Sequence, residues 1–270
     1  MSTTITPEGL ERGELFLLPV APFSLPDDED RAFLLRQEAA PGCKHLCFNP
    51  LTHSLTGIRR SDPAQEARVR RLLADFSERV TAWLHEALPV YAGGIHPDRA
   101  TFRPEEEATR CVRLHARNDL LHIDAFPGRP AHGRRLLRVF VNLHPTEPRI
   151  WATSESLPRL LDRFADRVRR STAGWFHELG ARLRKLFGGA TPSDSDVFLL
   201  RLHDYLKNDH EFQHRGPRRL WRFPPGSAWL AMTDACSYAE LRGRFALEHS
   251  FFIAPDVLCC PDHAPARLVA

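Results

Sequence analysis

The sequence predicts an α+β fold with a double-stranded β-helix core of the jelly-roll, cupin-like type, flanking helices and a helical insertion. Strand-like segments fall into two groups, one over 109–155 and one over 218–255. A helical pattern over 156–210 separates them, which suits a double-sheet core with helices packed outside it. All 270 residues are expected to form a single domain, because this length can bury one sizeable core.

The first part of the chain, 1–63, is proline-rich and irregular, and it contains two short strand candidates. These are "LFLLPV" (15–20) and "KHLCFNP" (44–50). Over 64–88 the apolar residues then recur every three or four positions, which is typical of an amphipathic helix. They are Val69, Leu72, Leu73, Phe76, Val80, Trp83, Leu84 and Ala87.

Strands are predicted where the period changes to two or where β-branched and aromatic residues cluster. The first group contains "TRCVRLHAR" (109–117), "LLHIDAF" (120–126) and "RLLRVFVNL" (135–143). The second group contains "RRLWRF", "AWLAMTD" and "RFALEHSFFI", with a "PPG" turn after the first of them.

The insertion between these groups is predicted to be helical over 157–187 and again over 196–209. Glycine, proline and serine in "GGATPSDS" separate the two helical segments. The first segment is basic and carries interleaved apolar residues, a composition that suits contact with anionic lipid. It equally suits a solvated face that covers the sheet.

Composition excludes several classes of protein. The six cysteines show no CxxC spacing, and Cys259 and Cys260 are adjacent, which suits neither a disulfide framework nor a zinc site. A net charge of +3 does not indicate nucleic acid binding. No apolar run approaches the length of a membrane span, and Glu8, Glu11 and Glu14 do not fit a secretory signal. We expect a cytoplasmic protein.

Within "LLHIDAF", His122 and Asp124 stand two residues apart. In an extended strand such residues point to the same face. One imidazole and one carboxylate are two thirds of the 2-His-1-carboxylate triad that binds Fe(II) in oxygenases. The same tripeptide also occurs as the polar edge of an ordinary strand, so the spacing alone leaves both interpretations open.

The wider context resembles the 3-deoxy-D-manno-oct-2-ulosonic acid (Kdo) hydroxylase family. The resemblance rests on "LLHIDAFPGRPAHGRRLLRVFVNLHP", "LRLHDYLKND" and "FPPGSAWLAMTD...GRFALEHSFF", which span the C-terminal two thirds of the chain. It implies a jelly-roll dioxygenase that uses Fe(II), 2-oxoglutarate and O2. It further implies hydroxylation at carbon 3 of Kdo in lipopolysaccharide, and hence a Kdo-containing glycolipid as partner.

Carried onto this sequence, the resemblance makes His122 and Asp124 iron ligands. His203, 79 positions after Asp124 (203 − 124), is predicted as the third ligand. Tyr238 and His249 are the alternatives. Tyr238 lies in "CSYAEL", where the family pattern leads us to expect a histidine. This departure supports a second hypothesis, a non-catalytic jelly-roll protein that binds an anionic sugar and has lost its metal site.

The distal carboxylate of 2-oxoglutarate needs a cation, and arginine meets both oxygens of a carboxylate. Arg138 interrupts the apolar run 135–143 and is the predicted cosubstrate residue, with Arg242 and Arg244 as alternatives. Asn142 shares the face of Arg138 by parity and is predicted to bind the cosubstrate as well. The sugar's place in a membrane glycolipid leads us to expect peripheral contact with the inner membrane through 157–187. No protein partner is inferred.

Overall fold

The computed structural model describes residues 4–59, 62–109, 112–126, 128–170 and 192–269. Within these ranges, ten strands form two antiparallel sheets, the double-sheet arrangement that the sequence predicts. The strands are β1 (Phe16–Leu18), β2 (Leu46–Asn49), β3 (Ser54–Thr56), β4 (Ile95–Arg103), β5 (Arg135–Asn142), β6 (Arg149–Ser156), β7 (Arg219–Phe223), β8 (Ala228–Met232), β9 (Cys236–Arg242) and β10 (Ala246–Ile253).

The large sheet has seven strands in the order β1-β8-β5-β10-β4-β2-β3, and the small sheet has three in the order β7-β6-β9. Alternate side chains of the two sheets meet in a shared interior. Aromatic rings fill one part of that interior, and the rings of Trp151 and Tyr238 stack at 4.9 Å between centroids. The other part of the interior is polar and open to solvent.

Helices cover the outer faces of both sheets. They are α1 (Pro7–Glu11), α2 (Asp28–Leu35), α3 (Pro63–Ala87), α4 (Leu157–Arg170), α5 (Asp194–Asn208), α6 (His210–Arg215) and α7 (Pro265–Leu268). The longest, α3, lies where the sequence predicts a helix over 64–88. It begins after Asp62, whose carboxylate accepts a hydrogen bond from the Ala64 amide. Its apolar stripe packs on the large sheet.

The helical insertion packs on the small sheet. Leu160 and Phe164 of α4 and Leu202 of α5 share one buried cluster with Ala152 and Ala239 of that sheet. Helix α4 begins where the prediction for 157–187 begins, and residues 171–187 lie outside the described part of the chain. Helix α5 corresponds to the segment predicted over 196–209.

The prediction of a strand at 109–117 is wrong. Two short 3-10 turns, Glu107–Thr109 and Leu114–Ala116, stand in this part of the chain. The backbone carbonyls of His115 and Ala116 accept hydrogen bonds from the side-chain amines of Lys207 and Lys44, which replace a strand partner. An alternating pattern does not show which kind of group will satisfy the backbone.

The segment predicted as a strand at 120–126 is extended, but it forms only an isolated bridge between His122 and Tyr238. Conversely, β4 was not predicted. Pro97, Asp98 and Arg99 interrupt its apolar pattern, and proline within a run argues against a central strand. The strand is nevertheless central, because β10 and β2 pair with its two edges.

The stability of the fold depends on pH through buried histidines. His249 on β10 faces α3, where its Nε2 lies 2.7 Å from the hydroxyl of Ser77. Burial lowers the pKa of His249 to about 4, whereas an unfolded histidine titrates near ~6.5. Between these two pH values the unfolded chain binds the additional proton. The contribution of His249 to stability is therefore complete above pH ~6.5 and is lost as the pH falls towards ~4.

We predict that His249→Leu flattens the pH dependence of unfolding. Removal of one such histidine should lower the slope of the unfolding free energy near pH ~5 by about 1.4 kcal/mol per pH unit. Urea unfolding followed by circular dichroism at several pH values measures this slope. His85→Leu, at an exposed position of α3, is the control and should keep the wild-type slope. An unchanged slope in His249→Leu would contradict the prediction.

Candidate active site

The segment that carries His122 and Asp124 is fixed through its backbone. His122 and Tyr238 exchange two backbone hydrogen bonds of 3.0 and 2.9 Å, and the Asp124 amide donates to the Thr233 carbonyl at 2.9 Å. Leu121 and Ile123 point into the helical layer and are fully buried there. Because side chains alternate along an extended segment, His122 and Asp124 point to the opposite side, towards the interior between the sheets.

His122 presents one unprotonated nitrogen to Asp124. Its Nδ1 lies 2.7 Å from the carbonyl oxygen of Leu120, and only an N–H can make that contact, so Nδ1 carries the proton. Burial lowers the pKa of His122 well below its usual value, and the ring is neutral at pH 7. Its Nε2 therefore has a lone pair, 3.8 Å from Oδ1 of Asp124.

Asp124 is oriented through its second oxygen. Oδ2 accepts hydrogen bonds from the Arg138 guanidinium and, at 2.9 Å, from the Tyr238 hydroxyl. Arg138 also donates to the Tyr238 oxygen at 3.0 Å. These contacts leave Oδ1 as the oxygen that faces His122. The Asp124 carboxylate is thus held with Oδ2 bound by Arg138 and Tyr238 and with Oδ1 directed to the imidazole of His122.

His203 on α5 lies beside this pair, with its ring 5.1 Å from that of His122 and nearly perpendicular to it. Its Nδ1 lies 2.7 Å from the Ile123 carbonyl, so Nδ1 again carries the proton. Burial lowers the pKa of His203 to about 4, which leaves Nε2 unprotonated at neutral pH. This Nε2 lies 3.4 Å from the His115 carbonyl oxygen.

The other two candidates for the third ligand have different surroundings. Burial, and then Asp124, raise the pKa of Tyr238 well above its usual value, so its hydroxyl remains protonated and donates to Asp124. His249 points away from the pair, and both of its nitrogens are used. Nδ1 donates to the Ser250 carbonyl at 3.0 Å and Nε2 accepts from Ser77. Strand parity explains the difference, because Glu248 is the inward residue of β10.

Among the described residues, no three His, Cys, Asp or Glu side chains are arranged to hold a metal ion. The structure brings His122 and Asp124 together, and it places the ring of His203 next to that of His122. The His203 Nε2 is directed towards the His115 carbonyl in this structure.

Of the predicted cosubstrate residues, only Arg138 reaches the interior pocket. Asn142 instead donates its side-chain amide to the carbonyls of Glu147 and Phe223, and so it fixes a turn. Arg242 pairs with Glu147 at the surface. Arg244 lies over the ring of Phe245. Parity placed Asn142 on the correct face, but the interior is closed at that end of the strand.

The pocket has a volume of about 550 Å³ and opens from the inner face of the large sheet. Asp124 and Tyr238 line it, whereas His122 lies behind Asp124 and is 2% exposed. Five cations also line the pocket, against two carboxylates, a composition that suits an anionic ligand. The cations are Lys44, Arg99, Arg103, Arg129 and Arg138, and the carboxylates are Asp124 and Glu248.

Most of these charges were missed by the sequence analysis. Arg99 and Arg103 belong to the unpredicted strand β4, and Lys44 and Arg129 lie in loops. Glu248 lies on β10, beside the candidate ligand His249. It binds both Arg103 and Arg138. Burial alone would raise the pKa of Glu248, but these two guanidiniums hold it well below its usual value. A charged residue inside a β-branched or aromatic run is the signal that could have identified such positions.

Comparisons with known proteins identify one family. The family model of 3-deoxy-D-manno-oct-2-ulosonic acid (Kdo) hydroxylase matches residues 2–270. The Kdo hydroxylase KdoO, a non-heme Fe(II) alpha-ketoglutarate-dependent dioxygenase solved with alpha-ketoglutarate and Fe(III), has a TM-score of 0.86 and 29% identity, over 97% of this chain and 86% of that one. Its cobalt(II) complex has a TM-score of 0.86 and 30% identity over the same shares. A comparison with curated protein sequences finds no match.

The matches cover both sheets and the helical layer, including the segments that carry His122, Asp124 and His203. They therefore extend beyond the C-terminal two thirds in which the sequence resemblance was recognised. The jelly-roll fold expected from the strand pattern is confirmed by the close structural similarity to KdoO. On the evidence of the full-length family match, this chain belongs to the Kdo hydroxylase family.

Proposed function

We propose that the chain is an Fe(II)- and 2-oxoglutarate-dependent dioxygenase that hydroxylates carbon 3 of Kdo in lipopolysaccharide or its lipid A precursor. One observation carries the proposal. Two neutral imidazoles with unprotonated Nε2 atoms lie beside a carboxylate whose Oδ1 has no other partner than His122 among the described residues. Imidazole nitrogen and carboxylate oxygen are the donors that non-heme Fe(II) oxygenases use.

These residues fit a ferrous ion in their chemistry. His122 and Asp124 would hold it, with His203 as the third ligand. The Nδ1–H of each histidine is bound by a backbone carbonyl, the arrangement that fixes the tautomer of metal-binding histidines. When bound, iron and 2-oxoglutarate supply the oxidising chemistry by which one atom of O2 enters the substrate.

The chain's own residues orient and shield the site. Arg138 and Tyr238 hold Oδ2 of Asp124, which directs Oδ1 towards His122. Arg138 and Arg103 both bind Glu248. Each guanidinium is therefore already partly paired when the carboxylate of 2-oxoglutarate approaches it. We assign Arg138 as the cosubstrate residue because it lines the pocket beside Asp124. The guanidinium carbon of Arg138 lies 5.1 Å from the centroid of the Phe140 ring and 5.9 Å from that of the Phe126 ring.

The non-catalytic alternative, a sugar-binding protein with a lost metal site, is not favoured. Tyr238 stands where the sequence analysis expected a histidine, but it supports Asp124 rather than marking a loss. The backbone carbonyls that hold Nδ1 of His122 and of His203, together with the family match, support the metal-binding interpretation.

The activity itself is the first test. With Fe(II), 2-oxoglutarate and O2, the wild-type protein should convert a Kdo-containing lipid A precursor to a product with one added oxygen atom, and it should release succinate. Mass spectrometry and succinate analysis measure both. Asp124→Asn should abolish both, whereas Asp75→Asn, on the surface of α3, should not. Absence of product and of succinate with the wild-type protein would favour the binding protein instead.

The third ligand is tested by metal affinity. His203→Ala should weaken Co(II) binding by at least about tenfold, because it removes one of three protein ligands. Visible absorption during a Co(II) titration of the apoprotein measures this affinity. His115→Ala is the control, since the structure uses only the backbone carbonyl of His115. Equal affinities in wild type and His203→Ala would remove His203 from the ligand set.

We also propose that the protein contacts an anionic membrane surface through the region that begins with α4. The apolar residues of α4, among them Leu160 and Phe164, are buried against the small sheet, so the helix offers a charged face rather than an apolar one. Its arginines are exposed: Arg159, Arg163, Arg167, Arg169 and Arg170. None of the described helices combines the length and apolar character that a membrane span requires. The contact we propose is therefore electrostatic.

Vesicle binding tests this surface. Charge reversal at Arg167, Arg169 and Arg170 to glutamate should weaken binding to phosphatidylglycerol vesicles by at least about tenfold, since each basic residue contributes about 1 kcal/mol near an anionic surface. Sedimentation with vesicles at low and high salt measures the effect. The matched control reverses three exposed arginines elsewhere, Arg59, Arg70 and Arg79. Equal binding by the two triple variants would contradict the assignment to α4.

A further inference from the structure

We propose that His45 and Thr101 form a subsite that binds hydroxyl groups of the substrate and so help to select a polyhydroxylated sugar acid. This inference rests on the proposed function, because it concerns the specificity of the same pocket. It concerns two neutral side chains of the pocket lining that are not candidate iron ligands.

Two neutral polar atoms in the pocket wall have no hydrogen-bond partner among the described residues. They are Oγ1 of Thr101 and Nδ1 of His45, and both atoms are buried. Thr101 as a whole is 3% exposed. Both residues line the pocket. A buried polar atom without a partner costs about 1–3 kcal/mol, so such atoms in a pocket wall indicate a ligand that supplies the missing bond.

The register of the large sheet places these two residues on one surface. Thr101 of β4 lies opposite Cys47 of β2 and Glu248 of β10. His45 is two residues before Cys47 and therefore points to the same face, about 7 Å diagonally from Thr101. Leu46, between them, is fully buried on the opposite face. Strand β4 and the residue that precedes β2 thus bring a hydroxyl and an imidazole to the same pocket.

Guanidinium groups stand on both sides of this neutral pair. Arg99 and Arg103 are two residues before and after Thr101 on the same face of β4. Arg103 already binds Glu248 and Glu107. Burial, and then Arg103, lower the pKa of His45 to about 3, so this imidazole is neutral and offers both a donor and an acceptor. The pocket lining therefore presents neutral hydrogen-bonding groups between positive charges.

This pattern fits the sugar rather than the cosubstrate. The polar atoms of 2-oxoglutarate belong to two carboxylates and a ketone, which cations and the iron would bind. Hydroxyl groups are uncharged donors and acceptors, and the side chains that match them are threonine and neutral histidine. A carboxylated ring with several hydroxyls complements both parts of the lining, its carboxylate facing an arginine and its hydroxyls facing Thr101 and His45.

Kinetics of Thr101→Val, which removes the hydroxyl at nearly constant volume, test the subsite. We expect the KM for the Kdo substrate to rise roughly tenfold, as for loss of one neutral hydrogen bond. The KM for 2-oxoglutarate and the Co(II) affinity should not change. Thr101→Ser should restore the wild-type KM. His45→Leu, a second variant that does not alter β4, should raise the same KM. It therefore tests the subsite even if Thr101→Val does not fold.

Deoxygenated Kdo analogues, each lacking one ring hydroxyl, identify the substrate hydroxyl that forms a hydrogen bond with Thr101. One analogue should bind wild type and Thr101→Val equally, because the partner of Thr101 is absent from it. Ser154→Ala, which removes another buried hydroxyl without a partner but outside the pocket lining, is the control and should leave every KM unchanged.

The outcomes separate the two proposals. A wild-type protein that makes no hydroxylated product overturns the proposed function, and the subsite with it. An active wild type with the same sugar KM in wild type, Thr101→Val and His45→Leu overturns the subsite alone. A rise of equal size in the KM for 2-oxoglutarate also overturns it, because the residues would then serve the cosubstrate.

Discussion

The interior of this protein depends on the pairing of Arg138 with two carboxylates. On one side Arg138 binds Asp124, and on the other it binds Glu248. Because Arg103 also binds Glu248 and approaches Glu240, the pairing continues from the large sheet into the small one. The result is a buried series of alternating charges: Asp124, Arg138, Glu248, Arg103, Glu240 and Arg149. Arg138 is the one cation that the described residues pair with Asp124, so its removal would leave that buried carboxylate uncompensated, which costs several kcal/mol.

Much of the candidate site could be predicted because one rule, the alternation of side chains along extended backbone, operates over a few residues. His122 and Asp124 share a face even though their segment forms only an isolated bridge. The same rule excludes His249, which faces α3, because its neighbour Glu248 is the inward residue of β10. The long helix over 64–88 could be recognised because its apolar period persists for many turns.

The rest of the site depends on which strands become neighbours, and a local pattern does not contain that information. Thr101 and Arg103 reach the pocket because β4 lies between β10 and β2, strands that are distant in the sequence. The proline in β4 concealed the strand itself. Asn142 was placed on the correct face, but whether that end of the strand is open depends on Phe223 and the following turn.

His203 reaches the site from the helical layer, and its Nδ1–H is bound by the carbonyl of Ile123, between the two other candidate ligands. If His203 is the third ligand, as we propose, the packing of α5 on the small sheet and metal binding are linked equilibria. A metal held by all three side chains would favour the docked arrangement in proportion to its occupancy. A metal bound at the centre of the molecule would thus stabilise the packing of the helical insertion that separates the two groups of strands.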